Sequence, residues 1–266
     1  MQKPTDKLKY WLAHPLTRDL PLDDPRTTEL RRQVIRQNSF LMRVYQHWYD
    51  LLVDSVPAGS GHLLELGSGG GFLAERIPGL ITSEIIFLDQ SRIILDGQRL
   101  PFATASLKGI LMTNVLHHIP SVRDFLSEAG RVTRPGGVIS VIEPWHSEWA
   151  NWVYKNFHHE LFDPQAAEWE FESSGPVSSS NMALPWIIFQ RDRDQFEREF
   201  PEWQLQRVIP LMPFAYLLSG GVSMRPLVPT WTYQLVYQVE KLLAGLMPRL
   251  AMFAHVVLVK KEIAGE

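Results

Sequence analysis

An apolar run that ends in a carboxylate and turns at once into glycine, LLELGSGGGF over residues 63–72, constrains this chain more than any other stretch. Glycines at the end of a strand let backbone N–H groups approach a ligand with no Cβ in the way. The segment predicts a strand, a tight ligand-holding turn and a short helix from Phe72. Asp89 ends the next apolar run, EIIFLD, 22 residues after Gly67, where a carboxylate can accept both hydroxyls of a ribose. Turn and carboxylate together indicate a nucleoside cofactor.

The surroundings have an α/β rhythm. Apolar segments at 62–66, 85–88, 110–113 and 138–142 read as buried parallel strands. Ser121 can cap a helix whose Val122, Phe125, Leu126, Ala129 and Val132 share one face, before Pro135-Gly136-Gly137. Upstream, residues 25–53 read as one amphipathic helix with Asp24 as N-cap and Arg31, Arg32, Arg36 and Arg43 on a solvated face. Downstream come an aromatic-rich stretch with a Ser-rich loop, a charged helix at 192–200, a strand at 204–209, a helix at 230–246 and a last strand at 254–260. This predicts one domain of α/β class, a Rossmann-like doubly wound, mostly parallel sheet with an antiparallel C-terminal strand. Residues 1–57 form an N-terminal helical cap, 58–144 with 200–262 the core, and 145–199 with 210–250 cap insertions.

Composition narrows the partners. With 26 Lys+Arg against 29 Asp+Glu, the chain lacks the basic excess of a nucleic-acid binder and points to a small-molecule substrate. Zero cysteines exclude thiolate metal sites and a cysteine nucleophile. The start is too polar and too rich in proline for a secretory signal, which reads as a cytoplasmic protein. Residues 208–224 carry no charge, but two prolines and Gly220-Gly221 break the run, so no transmembrane segment is expected. The oligomeric state stays open, a dimer included.

The cofactor class follows from details of the turn. A dinucleotide fingerprint would place its third glycine where Phe72 stands, and Glu65 would repel a pyrophosphate. S-adenosylmethionine carries an ammonium and a sulfonium instead, which suit a carboxylate beside the glycines. ELGSGGG, FLDQS, LDGQRLPF, TNVLHHI and RVTRPGG, in that order, make residues 62–143 resemble class I S-adenosylmethionine-dependent methyltransferases of the ubiquinone and menaquinone biosynthesis subgroup. The resemblance implies that Gly67, Ser68, Gly69 and Gly71 line the methionine and ribose, with Glu65 near the amino group and Asp89 on the ribose diol. Gln90 would pack on the adenine, Asp96 and Gly97 would read its amino edge, and Asn114 and Val115 would face the methionyl part. S-adenosylhomocysteine would be the product.

Two features depart from the family's pattern. Lys108 stands in SLKGI, where the family usually has an acidic residue. Too few residues separate Asp89 from Asp96 for a helical crossover, so the sheet is expected to be shortened between strands two and four, without a regular third strand.

For an oxygen acceptor, His117 and His146 are the candidate bases at the carboxyl edge of the sheet. Trp145, Tyr154, Asn181, Tyr216 and Arg225 are the candidate substrate residues, in segments whose apolar, aromatic composition favours a hydrophobic, lipid-like or amphipathic acceptor. No metal is expected, because neighbours in His158-His159-Glu160 point apart on a helix. O-methylation is favoured over C- or N-methylation. A catalytically silent S-adenosylmethionine-binding regulatory protein and a nicotinamide oxidoreductase are the alternatives.

Overall fold

Five segments form parallel strands, all but the second made chiefly of aliphatic residues, and two more close the sheet antiparallel. The computed structural model describes residues 10–89, 91–158, 160–173, 175 and 178–262. In chain order the elements that position the site are α1 (Pro25–Gln37), α2 (Ser39–Asp54), β1 (His62–Leu66), β2 (Ile81–Glu84), β3 (Ile93–Ile94) and β4 (Leu107–Thr113). Next along the chain are α3 (Val122–Val132), β5 (Thr133–Pro144), α4 (Glu148–Phe157), α5 (Arg193–Glu199), β6 (Trp203–Leu211), α6 (Ala215–Ser219), α7 (Tyr233–Leu242) and β7 (Phe253–Lys260). The seven strands run in the order β3-β2-β1-β4-β5-β7-β6, a Rossmann-like, mostly parallel sheet with β7 antiparallel to β5 and β6.

β4 and the second half of β5 are buried nearly throughout, as expected for strands covered on both faces. α3 lies on the sheet with Val122, Phe125, Leu126, Ala129 and Val132 fully buried, and the Ser121 hydroxyl accepts from the Asp124 N–H at 3.3 Å. The greasy run before Met224 becomes the end of β6, then α6 and a left-handed turn at Gly220, packed over the sheet edge. Among the described residues no helix is long and apolar enough to cross a membrane.

Several local expectations need correction. The helix expected over 25–53 is two helices, because Asn38 leaves helical geometry and its side-chain oxygen caps α2 by accepting from the Phe40 and Leu41 N–H groups, both at 3.1 Å. The second strand is ITSE at 81–84, with 85–88 irregular, because β2 pairs Leu64 with Ile81 and Leu66 with Ser83. The sheet also keeps a remnant of the third strand: Ile93 and Ile94 pair in parallel with Ser83 and Glu84. No helix is described between β2 and β3, so the short connection forecast from the spacing is present, while the strand forecast as missing is two residues long. The helix expected from Phe72 is a single 3-10 turn, Leu73–Glu75.

Candidate active site at the carboxyl edge of the sheet

The turn after β1 is shaped by what packs on it from both sides. Gly67 has φ +68°, and a Cβ there would lie 2.4 Å from Val115 Cγ2. A Cβ on Gly71 would lie 2.4 Å from the Tyr49 hydroxyl, and that hydroxyl accepts from the Phe72 N–H at 3.2 Å. Arg32 Nη1 donates to the Gly71 carbonyl at 2.6 Å. Gly71 is therefore required by the close approach of α1 and α2, whereas Gly67 and Gly69 face a cavity.

That cavity, about 270 Å³, opens where β1, β2, β4 and β5 end, at Leu66, Glu84, Thr113 and Pro144. The N-terminal helices, the segment after β5 and the segment around α6 all reach it, through Arg31 and Tyr45, through Tyr154 and Glu160, and through Tyr216 and Val222. Gly67, Gly69, Asp96, Gly97, Asn114 and Val115 of the expected cofactor residues line it. Ser68, Gly71 and Glu65 do not; they form the layer beneath the turn. Ser68 Oγ accepts from the Ser83 N–H at 3.1 Å, tying β1 to β2. Glu65 is 4% exposed, and burial pushes its carboxyl up to about 8 despite the Ser68 hydrogen bond.

The carboxylate at the end of β2 is Glu84, not Asp89. Glu84 lines the cavity and its Oε1 accepts from the Gly69 N–H, whereas Asp89 is exposed and away from the cavity wall. Ile85, next in the chain, lines the cavity in the place expected of Gln90, which lies outside the described residues. The physical reason for the displacement is that EIIFLD is more apolar than ITSE; the polar Thr82 and Ser83 inside β2 disguise a buried strand.

Beyond β4 the chain enters a left-handed residue, Asn114, at φ +57°. Glu143, fully buried at the end of β5, fixes the loop from Val115 to His117. Its Oε1 accepts from the Val115 and Leu116 N–H groups, both at 2.7 Å, and its Oε2 lies 2.6 Å from His117 Nδ1. His117 Nε2 stands 3.4 Å from Glu160 Oε2. Burial pulls the His117 imidazole down, but Glu143 and Glu160 outweigh it and push it up to about 9. Burial opposes ionisation of Glu160, yet His117, with smaller contributions from His118 and His158, holds its carboxyl well below the usual range. His118, desolvated and beside His117, is pushed down to about 4. With carboxylates at both nitrogens, His117 is a positioning group and not an open base.

The remaining expected residues divide cleanly. Tyr154 and Tyr216 line the cavity. Trp145 is buried behind it, with its backbone N–H donating to the Met252 carbonyl at 2.8 Å. Asn181 is consumed structurally: its side chain bonds the backbone of Asp163 and Ala183. Arg225 is exposed, bonded to the Trp11 carbonyl. His146 packs on Trp186 and Phe162, off the cavity, so the base role expected for it is corrected on placement. Lys108 sits at the opposite end of β4, where Nζ donates to the Gly59 carbonyl at 2.6 Å.

Arg31, Glu84 and Glu160 were missed. Arg31 lines the cavity, and its Nε is buried without a hydrogen-bond partner; its spacing from Thr27, Thr28, Val34 and Ile35 puts it on the buried face of α1, although its charge reads as solvated. Asn114 Oδ1 and Thr113 Oγ1, on the cavity wall, are likewise buried without a partner.

Comparisons with known proteins agree with this geometry. Residues 64–141 match the family described as "Methyltransferase domain". An uncharacterized methyltransferase of Mycobacterium tuberculosis H37Rv is 29% identical over 112 residues, covering 35% of this chain and 56% of that protein. The chain thus spans about half the length of these curated relatives. A demethylmenaquinone methyltransferase of Corynebacterium glutamicum is 40% identical over 55 residues, covering 21% of this chain and 24% of that protein. A chain from the Haloferax volcanii complex of the Trm112 methyltransferase activator with a methyltransferase has a TM-score of 0.50 at 11% identity, covering 92% of this chain and 100% of that one, a likeness of fold. Residues 64–141, seated on this Rossmann-like sheet, are thus similar to a methyltransferase domain.

Proposed function

We propose that the protein transfers a methyl group from S-adenosylmethionine to a small hydrophobic or amphipathic acceptor, on oxygen in preference to carbon or nitrogen. The observation that carries this reading is a matched set of unsatisfied groups on one wall. Asn114 Oδ1 and Thr113 Oγ1 are buried acceptors without partners, and Arg31 brings a cation with an unpartnered Nε. A zwitterionic amino-acid head, with an ammonium and a carboxylate, satisfies both kinds of group. Glu84 would accept the ribose hydroxyls, and Ile85, Asp96 and Gly97 would hold the adenine, a reading supported by their position on the cavity wall.

When bound, the cofactor supplies an electrophilic methyl on a sulfonium. The chain's own residues align the acceptor and exclude water, since an in-line displacement needs little else. Tyr45, Tyr154, Tyr216 and Phe253 give the far part of the cavity an aromatic, apolar lining that suits the acceptor. The Glu143 strap holds the 115–117 loop against the glycine turn, keeping Val115 on Gly67. His117, His118 and Glu160 also line the cavity, and a polar cluster of this kind would suit an acceptor hydroxyl, which favours oxygen. The alternative of a silent binder rested on Lys108, and that lysine ties a loop far from the cavity.

The test is transfer of labelled methyl from S-adenosylmethionine into a panel of phenolic, quinol-like and polyketide-like acceptors, with calorimetric titration of S-adenosylhomocysteine in parallel. Binding together with transfer to at least one hydroxylated acceptor is expected. Tight binding with label reaching only carbon or nitrogen acceptors would overturn the oxygen preference, and failure to bind would overturn the whole reading.

A further inference from the structure

Two histidines from the loop after β4 and one glutamate from the segment after α4 meet on the cavity wall. One donor atom from each of His117, His118 and Glu160 lies within 4.8 Å of the others. These residues come from separate parts of the chain, which is why the local spacing of His158-His159-Glu160 pointed away from a metal.

The hydrogen bonds on the far side of each ring carry the argument. His117 Nδ1 faces Glu143 Oε2 at 2.6 Å, and His118 Nδ1 faces the Ser179 carbonyl at 3.2 Å. Both acceptors hold a proton on Nδ1, so Nε2 is the nitrogen each ring offers to an ion, His117 releasing its Nε2 proton as the ion binds. The two Nε2 atoms then converge on the same oxygen, Glu160 Oε2, at 3.4 and 3.8 Å. Those distances exceed an ordinary charge-assisted hydrogen bond, which is about 2.7–2.9 Å. Imidazoles that donate Nδ1–H to a carboxylate or a backbone carbonyl while turning Nε2 inward are the usual outer-shell arrangement of metal ligands.

We infer that His117 Nε2, His118 Nε2 and the Glu160 carboxylate bind a divalent first-row transition ion of the zinc type, with its open coordination position facing the cavity. Two imidazoles, one carboxylate and no thiolate make a three-ligand set that leaves room for an oxygen donor, a water or an acceptor hydroxyl. None of the three ligands is among the residues expected to hold the nucleoside.

Cobalt(II) is the probe, added to chelator-treated full-length protein with no nucleoside present and followed by visible absorption, with zinc(II) as competitor. The expected result is one equivalent of cobalt with the intense visible bands of four- or five-coordination, displaced by zinc. His118→Ala and Glu160→Gln should each weaken cobalt binding at least about tenfold. Glu143→Gln is the sharper variant. Its amide oxygen still accepts from Val115 and Leu116, but its NH2 faces His117 Nδ1, forces the proton to Nε2 and should cost about 10- to 100-fold in cobalt affinity. A wild-type protein that gives no bands at millimolar cobalt, or bands that survive all three substitutions unchanged, would overturn the site. Because no nucleoside is present, that result would leave the methyl-transfer reading standing.

Discussion

Arg31 illustrates how one side chain changes meaning between sequence and structure. Its charge reads as solvated, but its spacing from Val34 and Ile35 puts it on the buried face of α1, where it reaches the cavity with Nε unpartnered. Hydrogen bonds to a charged group contribute about 1.5–3 kcal/mol, so Arg31→Leu should weaken S-adenosylmethionine binding about 10- to 100-fold, read by calorimetry, with little change in melting temperature. Unchanged affinity would show that another group meets the carboxylate. At Gly67 the constraint is steric and conformational at once: Gly67→Ala places a methyl 2.4 Å from Val115 Cγ2 at φ +68°. The expected outcome is a loss of roughly 2–3 kcal/mol in denaturant unfolding together with loss of cofactor binding. A variant with wild-type stability would mean that the loop after β4 moves aside freely.

At the scale of elements, the break at Asn38 decides where the N-terminal cap sits. Its side chain caps α2, and its Nδ2 donates to the Ser219 carbonyl at 2.8 Å, tying α2 to α6 across the cavity mouth. Asn38→Ala should cost about 1–2 kcal/mol, and Asn38→Asp, which keeps the cap but not the donor, should recover part of it; thermal or denaturant melts read both. Equal stability of all three proteins would remove the cap from the account. Elements with plain periodicity, α3 and β5 among them, were legible in the sequence, as was the short connection before Asp96. β2 was not, because Thr82 and Ser83 are buried in a strand that alternation and hydropathy both underrate. The end of β2, and with it the carboxylate on the cavity wall, therefore lies at Glu84 and not at Asp89. The convergence of His117, His118 and Glu160 was illegible for a different reason: it depends on tertiary placement of two segments well separated in the chain, which no local pattern encodes.

For the whole molecule, stability should report on the sheet's centre. His255 lies in β7, paired with Ile142 on one side and Ile209 on the other, fully buried, with Nε2 2.9 Å from Ser140 Oγ and Nδ1 without a partner. Burial, with a smaller effect from Arg207, pushes this imidazole down to about 4. The unfolded chain takes up a proton near the ordinary value of about 6.5 while the folded one does not, so stability should fall as pH drops from about 6.5 to about 4, then level off. The loss from this group is on the order of 3 kcal/mol. His255→Gln should flatten that limb of the pH profile in urea unfolding, and an unchanged slope would place the titrating group elsewhere.

The central claim is that the cavity at the carboxyl edge of the sheet holds the adenosyl cofactor, with the end of β2 at Glu84 on its ribose. The most direct measurement is calorimetric titration of S-adenosylhomocysteine into the wild type, Glu84→Ala and Asp89→Ala proteins side by side. Clear binding by the wild type is expected, with a loss of about tenfold or more in Glu84→Ala and affinity within about twofold of wild type in Asp89→Ala. Loss of affinity in Asp89→Ala with Glu84→Ala unchanged, or no binding by the wild type, would contradict it.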